Sequence, residues 1–343
     1  MIKKDKKSEF FVCANGFSGF RSNFNHVFSA EKTDALFILS GGPGTGKSTL
    51  MRTLSKEYED CDIIEILCSS DPSSLDGLII TKNNIRIAIA DGTMPHIINA
   101  KYPGAFEMVI NLFDSFEMQN LFKNKRRIIE LNSYKSDAYL TAYKFLKTAG
   151  DVYTHIYNII DKTDIYLQAE QLINNKLNGT SSQYKSTETS PFLIKAFCKD
   201  GLVKCKHNFV KNNKISIKGD GVSEYIFMDA INKILTNKRI SKSIIQSPLS
   251  QDLIDAIVID DLIILTNDDS CSLDSTSLLN TSGNYKELFL SYKQFLDFAA
   301  QYLNTASCYH FKLEEIYKEN VNFSNNQLIT EKAKCQINSL FAN

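Results

Sequence analysis

One octapeptide constrains this chain more than any other stretch: Gly41-Gly42-Pro43-Gly44-Thr45-Gly46-Lys47-Ser48. It fits the spacing G-x-x-x-x-G-K-[ST], which works only where a strand enters a glycine loop and a helix leaves it. Both flanks comply. The apolar run Leu36-Phe37-Ile38-Leu39 reads as a buried strand, and Leu50, Leu54 and Tyr58, four apart, read as one helix face. Glycines permit positive φ and leave backbone N–H groups uncovered. Successive N–H groups at a helix N-terminus form a concave anion site that the helix dipole reinforces. A plain glycine turn would not need Lys47 and Ser48, whose ammonium and hydroxyl suit phosphate oxygens and Mg²⁺. The expected ligand is therefore a nucleoside triphosphate, ATP first, with Mg²⁺. Its expected contacts are Gly42, Gly44, Thr45, Gly46, Lys47, Ser48 and Thr49.

Mg²⁺ takes hard oxygen ligands and keeps several waters, so one nearby carboxylate suffices beside the hydroxyl of Ser48. Asp91 ends the apolar strand Ile85–Ala90, and strand C-termini line the ligand crevice of α/β sheets. Ser48 and Asp91 are thus the expected metal ligands; the alternative for Asp91 is a cap on the turn at Gly92. Asp71, after the strand Ile63–Leu67, reads equally well as a group that orients water or an acceptor hydroxyl and as a turn cap before Pro72. Lys47, Asp91 and Asp71 are the catalytic candidates. His96 reads first as a structural hydrogen-bonder, and Lys123, Lys125, Arg126 and Arg127 as a solvated basic turn. Many hydrolytic enzymes with this loop place Glu after the strand-end Asp. Here Gly92 stands there, so hydrolysis is slow, or another residue positions water, or the acceptor is not water.

The chain also repeats itself. Phe10–Ala14 matches Phe192–Ala196, the strand Leu36–Ser40 matches Ile215–Lys218, and Leu75–Ile80 matches Ile254–Ile259. The offset is 182 between Phe10 and Phe192 and 176 between Asp91 and Asn267, so the unit is a whole domain rather than a solenoid repeat. Each copy ends in a helix with an apolar seam at steps of seven, Tyr139-Leu146-Tyr153-Ile160 and Leu288-Phe295-Tyr302-Tyr309-Ile316, read first as core packing. The second copy lacks the segment around Pro95–Phe116 and the Gly-Lys-Ser signature. Lys218-Gly219-Asp220-Gly221-Val222-Ser223-Glu224 brings carboxylates where phosphates would lie, so one nucleotide per chain is expected. Asp76 recurs as Asp255, which marks it as structural. The polar stretch Asn174–Ser190 reads as the linker, dividing the chain into 1–187 and 188–343.

Lys+Arg and Asp+Glu both number 39, so no global field draws the protein to nucleic acid or an anionic membrane. No run approaches 18 apolar residues, and no signal-like segment opens the chain. The expected compartment is the cytoplasm, with its eight cysteines as thiols, and the partner beyond the nucleotide is an unspecified protein or small molecule.

Together, Gly41–Thr49, Cys68–Pro72, Ser74–Gly77, Asp91–His96 and Tyr102-Pro103-Gly104 resemble a family of bacterial tandem P-loop ATPases common in Firmicutes. The likeness covers most of Phe10–Asp161 and extends more faintly into the second half. It implies ATP binding and a P-loop NTPase fold, and it supplies no substrate. Family members usually keep a P-loop in both copies, unlike this chain. The expected fold is α/β, a duplicated P-loop NTPase unit with parallel sheets flanked by helices. The leading expected function is an ATPase or ATP-dependent switch. A small-molecule or nucleotide kinase and a nucleotide-gated binding module stay open.

Overall fold

The computed structural model describes residues 6–177, 187–206, 213–267, 273–278 and 285–342. The first copy runs β1 (Lys7–Phe10), β2 (Cys13–Gly16), β3 (Gly19–Ser22), α1 (Phe24–Val27), β4 (Ala35–Ser40) and α2 (Lys47–Glu57). It continues through β5 (Asp62–Leu67), β6 (Leu75–Lys82), β7 (Ile85–Asp91), β8 (Glu107–Asn111), α3 (Met118–Lys123), α4 (Lys125–Ile159) and α5 (Thr163–Leu177). The second copy runs β9 (Thr187–Thr189), β10 (Lys195–Cys198), β11 (Gly201–Lys204), β12 (Asn213–Lys218), α6 (Ser223–Asn237) and β13 (Lys242–Gln246). β14 (Ile254–Ile259), β15 (Leu262–Thr266), β16 (Leu273–Asp274), α7 (Tyr285–Lys318) and α8 (Phe323–Ala342) complete it.

The first large sheet has the order β1-β5-β6-β7-β4-β8 and the second β9-β13-β14-β15-β12-β16. Each strand is replaced by its counterpart, so the sequence repeat is a repeat of topology; β16 stands where β8 does, so the second copy shortens the segment around Pro95–Phe116 rather than lacking it whole. Both sheets are mixed rather than wholly parallel, a correction to the expected fold. All pairings are parallel except those of one inverted strand per sheet, β6 in the first and β14 in the second. The cause lies in two residues. β6 and β7 are joined by Asn83 (φ 51°) and Asn84 (φ 67°). A parallel crossover needs a dozen residues or more, whereas two left-handed residues match the twist of a tight hairpin.

The central strands are near-continuous apolar runs because helices cover the sheets. Phe37, Leu39, Ile79, Ile80, Ile87 and Ile89 are fully buried, and α2 adds Leu50, Met51 and Leu54 from its inner face. The copies meet at a pseudo-twofold point. Phe11 and Leu193, 182 apart, exchange both backbone bonds, at 2.9 and 2.8 Å. Close by, Asn15 Nδ2 donates to the carbonyl of Phe197, again 182 apart, at 2.9 Å.

The long helices α4 and α7 pack along each other. Ring pairs Tyr134–Tyr309, Phe145–Phe298 and Tyr153–Tyr292 rise on one helix as they fall on the other, so the pair is antiparallel. The seven-residue seam thus joins the two copies. Ala142, Ala149, Ala299 and Ala306 are fully buried in it and make room for the rings. At 34 and 35 residues each helix is about 50 Å long.

The exchange continues beyond the rods. α5, from the first copy, packs on α6 of the second, and α8, from the second copy, packs on the first. Ala333 and Ile337 of α8 belong to the first copy's core, Tyr58 Oη donates to Asn338 Oδ1 at 2.9 Å, and Lys334 pairs with Glu57. Of the expected linker, Asn174–Leu177 closes α5 and Thr187–Thr189 forms β9. Residues 178–186 lie outside the described residues. Among the described residues, no helix is long and apolar enough to cross a membrane.

Candidate phosphate-binding site

β4 carries the candidate loop. It is flanked in parallel by β7 and β8, so its C-terminal end opens onto the edge where Asp91 also ends its strand, with Leu39 in register with Asp91. Gly44 (φ +71°) and Gly46 (φ +87°) turn the chain into α2 through the left-handed region, which side chains with a Cβ rarely enter. Thr45 Oγ1 braces the turn by donating to the carbonyl of Gly42 at 2.8 Å.

Lys47, the first residue of α2, is only 9% exposed. Its Nζ donates to the carbonyls of Gly41 and Gly42 at 2.9 and 2.8 Å and stands 3.7 Å from Asp91 Oδ2. Asp91 is held at both carboxylate oxygens. Oδ1 caps the following turn, accepting from Thr93 N at 2.9 Å and Thr93 Oγ1 at 2.6 Å. Oδ2 faces the ammonium. Burial raises the Asp91 pKa, with Lys47 opposing the rise. Ser48 Oγ accepts from the backbone of Leu75 at 3.0 Å, tying α2 to the start of β6, and Thr49 is exposed.

Asp71 is a turn cap here. Its Oδ1 accepts from Ser73 N and Ser73 Oγ at 3.3 and 2.8 Å, and its charge is felt by Lys199 and Cys198 of the second copy. The basic turn is exposed, with Arg126 and Arg127 beside Glu130. Gly92 is a packing requirement: a Cβ there would run into Ile38 Cγ2, so the familiar Glu has no room.

His96 is buried in a chain of polar contacts next to the site. Its ring stacks on Phe24 at 4.3 Å, Nδ1 meets Cys13 Sγ at 3.5 Å, and Nε2 lies 3.2 Å from Asp76 Oδ2. That last approach is an ion pair off the line of a good hydrogen bond, since Asp76 Oδ2 has no aligned donor. Burial works to lower the imidazole pKa, but Asp76 and Cys13 outweigh it and push it up to about 10. In the second copy the counterpart Asp255 is fully buried and takes Lys195 Nζ at 2.9 Å. Lys195 stands where the first copy has Cys13. The second copy, in which the segment around His96 is shortened, takes its cation from β10 instead. Both arrangements answer one physical demand, a buried carboxylate that needs a positive partner.

The degenerate loop is filled by its own side chains. Asp220 Oδ1 accepts from the backbone of Val222 and Ser223, both at 3.0 Å, and Glu224 Oε2 accepts from Gly221 N at 3.0 Å. Asn267, the counterpart of Asp91, accepts from Gly219 N through Oδ1 and donates to Glu224 Oε1, both at 2.8 Å. Four backbone donors of an anion nest are thus satisfied internally. Burial raises the Glu224 pKa while the loop N–H groups oppose it.

One part of the site carried no sequence signal. The elbow between α7 and α8 lies against the loop from far along the chain: Asn326 Nδ2 donates to the carbonyl of Thr45, 281 residues away, at 2.8 Å, and Gly42 packs under Tyr317 and Phe116. The asparagines at 320, 322, 325 and 326 are the one local feature that could have pointed to a turn there. No protein-family model, curated protein or solved structure matches the chain.

Proposed function

We propose that the protein is a P-loop NTPase that binds Mg²⁺-ATP at Gly41–Ser48 and acts as an ATP-dependent switch with slow hydrolysis. The observation that carries this reading is the loop itself: two glycines at positive φ open a helix N-terminus, with the Lys47 ammonium 3.7 Å from a strand-end carboxylate. Backbone N–H groups and the dipole of α2 would hold phosphate, and Lys47 would leave the loop carbonyls for the β/γ oxygens. Ser48 and Asp91 fit Mg²⁺, since both offer hard oxygen and the ion completes its shell with phosphate and water. Bound there, the ion would neutralise phosphate charge. Slow turnover follows from Gly92, where packing excludes the water-orienting Glu, and from Asp71, whose Oδ1 is engaged in its own turn. The likeness of Gly41–Thr49 and Asp91–His96 to tandem P-loop ATPases is in keeping with this reading. Calorimetric titration with a non-hydrolysable ATP analogue and Mg²⁺ tests it: binding that Lys47→Ala abolishes is the expected result. Binding unaffected by Lys47→Ala, or none in the wild type, refutes it.

A further inference from the structure

The strand edge that carries Asp91 carries a second carboxylate. One step beyond the last pair of the β6–β7 ladder, Gly77 with Ala90, stand Asp76 and Asp91. Asp76 is also the extra residue of a β-bulge, because the β5–β6 register moves from Ile66 with Gly77 to Leu67 with Leu75. Bulges beside functional sites re-aim a side chain. Leu75, the residue before it, donates its backbone N–H to Ser48 Oγ at 3.0 Å. Asp76 therefore stands in the corner between the two expected metal ligands, and Asp91 feels its negative charge. The carboxylate is poorly satisfied there. Its side chain is 9% exposed, Oδ2 has no aligned donor, and its neighbours are the imidazole of His96 and the weakly donating thiol of Cys68.

The second copy supplies the contrast. Its bulge falls at Asp255, where the β13–β14 register moves from Ile245 with Ala256 to Gln246 with Ile254. Three donors converge on Asp255 Oδ1: Lys195 Nζ at 2.9 Å, and Tyr225 Oη and Thr266 Oγ1 at 3.1 Å each. Asp255 Oδ2 also lacks a donor, but no second carboxylate faces it. One step beyond Ala256 with Leu265 stands Thr266, whose hydroxyl satisfies the carboxylate instead of repelling it, and Asn267 after it is neutral too. The copy with the degenerate loop thus holds one carboxylate and its own lysine, and the copy with the intact loop holds two carboxylates. Once phosphate draws Lys47 away, Asp91 loses the cation now 3.7 Å from it. Two buried carboxylates then share His96 alone, an imbalance that a divalent cation corrects.

We infer that Asp76 is the second carboxylate of the Mg²⁺ site, accepting a hydrogen bond from a water of the ion's shell beside Ser48 and Asp91. The inference rests on the proposed phosphate site. Mg²⁺ keeps several waters, and the outer groups that receive them orient the shell. Asp76 acts on the nucleotide only through the ion, so it is a positioning residue.

Calorimetric titration of the full chain with a non-hydrolysable ATP analogue, once with Mg²⁺ and once with excess EDTA, separates metal from phosphate recognition. The wild type is expected to bind more tightly with Mg²⁺. Asp76→Asn should reduce that enhancement about tenfold without lowering affinity for the metal-free nucleotide. Because Asp76→Asn leaves the His96 charge buried, Asp76→Asn with His96→Gln removes both charges and takes its place if the single variant does not fold. Asp255→Asn with Lys195→Met, the same neutralisation in the second copy, should keep the enhancement. If the Asp76 variants keep it while Asp91→Asn loses it, or if they weaken binding equally with and without Mg²⁺, Asp76 only supports the fold and the phosphate site stands. Loss of the enhancement in the second-copy variant as well would make the effect general loosening and overturn the inference. No enhancement in the wild type removes the metal site and this inference with it. If the wild type does not bind the analogue, or Lys47→Ala binds it equally well, the phosphate-site reading itself fails.

Discussion

His96→Gln separates charge from shape at the buried pair. Glutamine keeps a polar group beside Asp76 and loses the charge and the ring stacked on Phe24. Removing one partner of a buried ion pair costs about 3–5 kcal/mol, because the remaining charge stays buried and uncompensated. The pH dependence gives a sharper signature. The folded-state pKa of His96 is raised from 6.5 to about 10. A raised pKa contributes stability that is fully present below the unfolded value and is lost as pH rises through the folded one. Between about pH 7 and pH 9 the folded chain keeps this proton and the unfolded chain gives it up. A tenfold difference in proton affinity between the two states corresponds to about 1.4 kcal/mol, so the wild type should lose roughly 2 kcal/mol over that interval that the variant does not lose. Urea denaturation at several pH values, followed by far-UV circular dichroism, reads both effects. Parallel pH profiles for wild type and variant would refute the assignment of a charged, paired imidazole.

Lys195→Met should cost about 3–5 kcal/mol by the same argument applied to Asp255, and Lys195→Met combined with Asp255→Asn should recover much of it, measured by urea midpoint. The stoichiometry of a non-hydrolysable ATP analogue should be near one per chain, because Asp220 and Glu224 already occupy the second nest; a value near two would overturn that account. Asp91→Asn should weaken Mg²⁺-dependent nucleotide binding about tenfold or more while the far-UV circular dichroism stays that of the folded chain. Unchanged Mg²⁺ dependence would make Asp91 a turn cap only.

The elements that were legible in the sequence are those whose signal is local. The loop Gly41–Ser48 announced its strand and helix, and β4 and α2 sit where the apolar spacing put them. The repeat was legible because the matching strands keep their order, and the sheets share it. The inverted strand was also legible in principle, since Asn83-Asn84 between two apolar runs is a hairpin signal; the parallel expectation overrode it. Other features had no local trace. A seam repeating every seven residues says that a helix has one apolar face, without naming the partner, so the pairing of α4 with α7 rests on contacts between distant residues. Asp71 looked the same as a catalytic group and as a cap, because either role needs only a carboxylate after a strand. Asp220 and Glu224 were legible as misplaced negative charge, but which loop N–H groups their carboxylates accept from was not.

The exchange of closing helices bears on how this gene can change. After a duplication, a copy that has lost its chemistry is ordinarily free to be deleted. Here deletion of the second copy would strip Ala333 and Ile337 from the first copy's core and remove the strand-edge partner of Phe11. Deletion of the first copy would likewise take α5 away from α6. Each copy thus buries apolar surface of the other, and loss of either would expose it in the copy that remained. Within that constraint the second loop could change sequence freely as long as something satisfied its N–H groups.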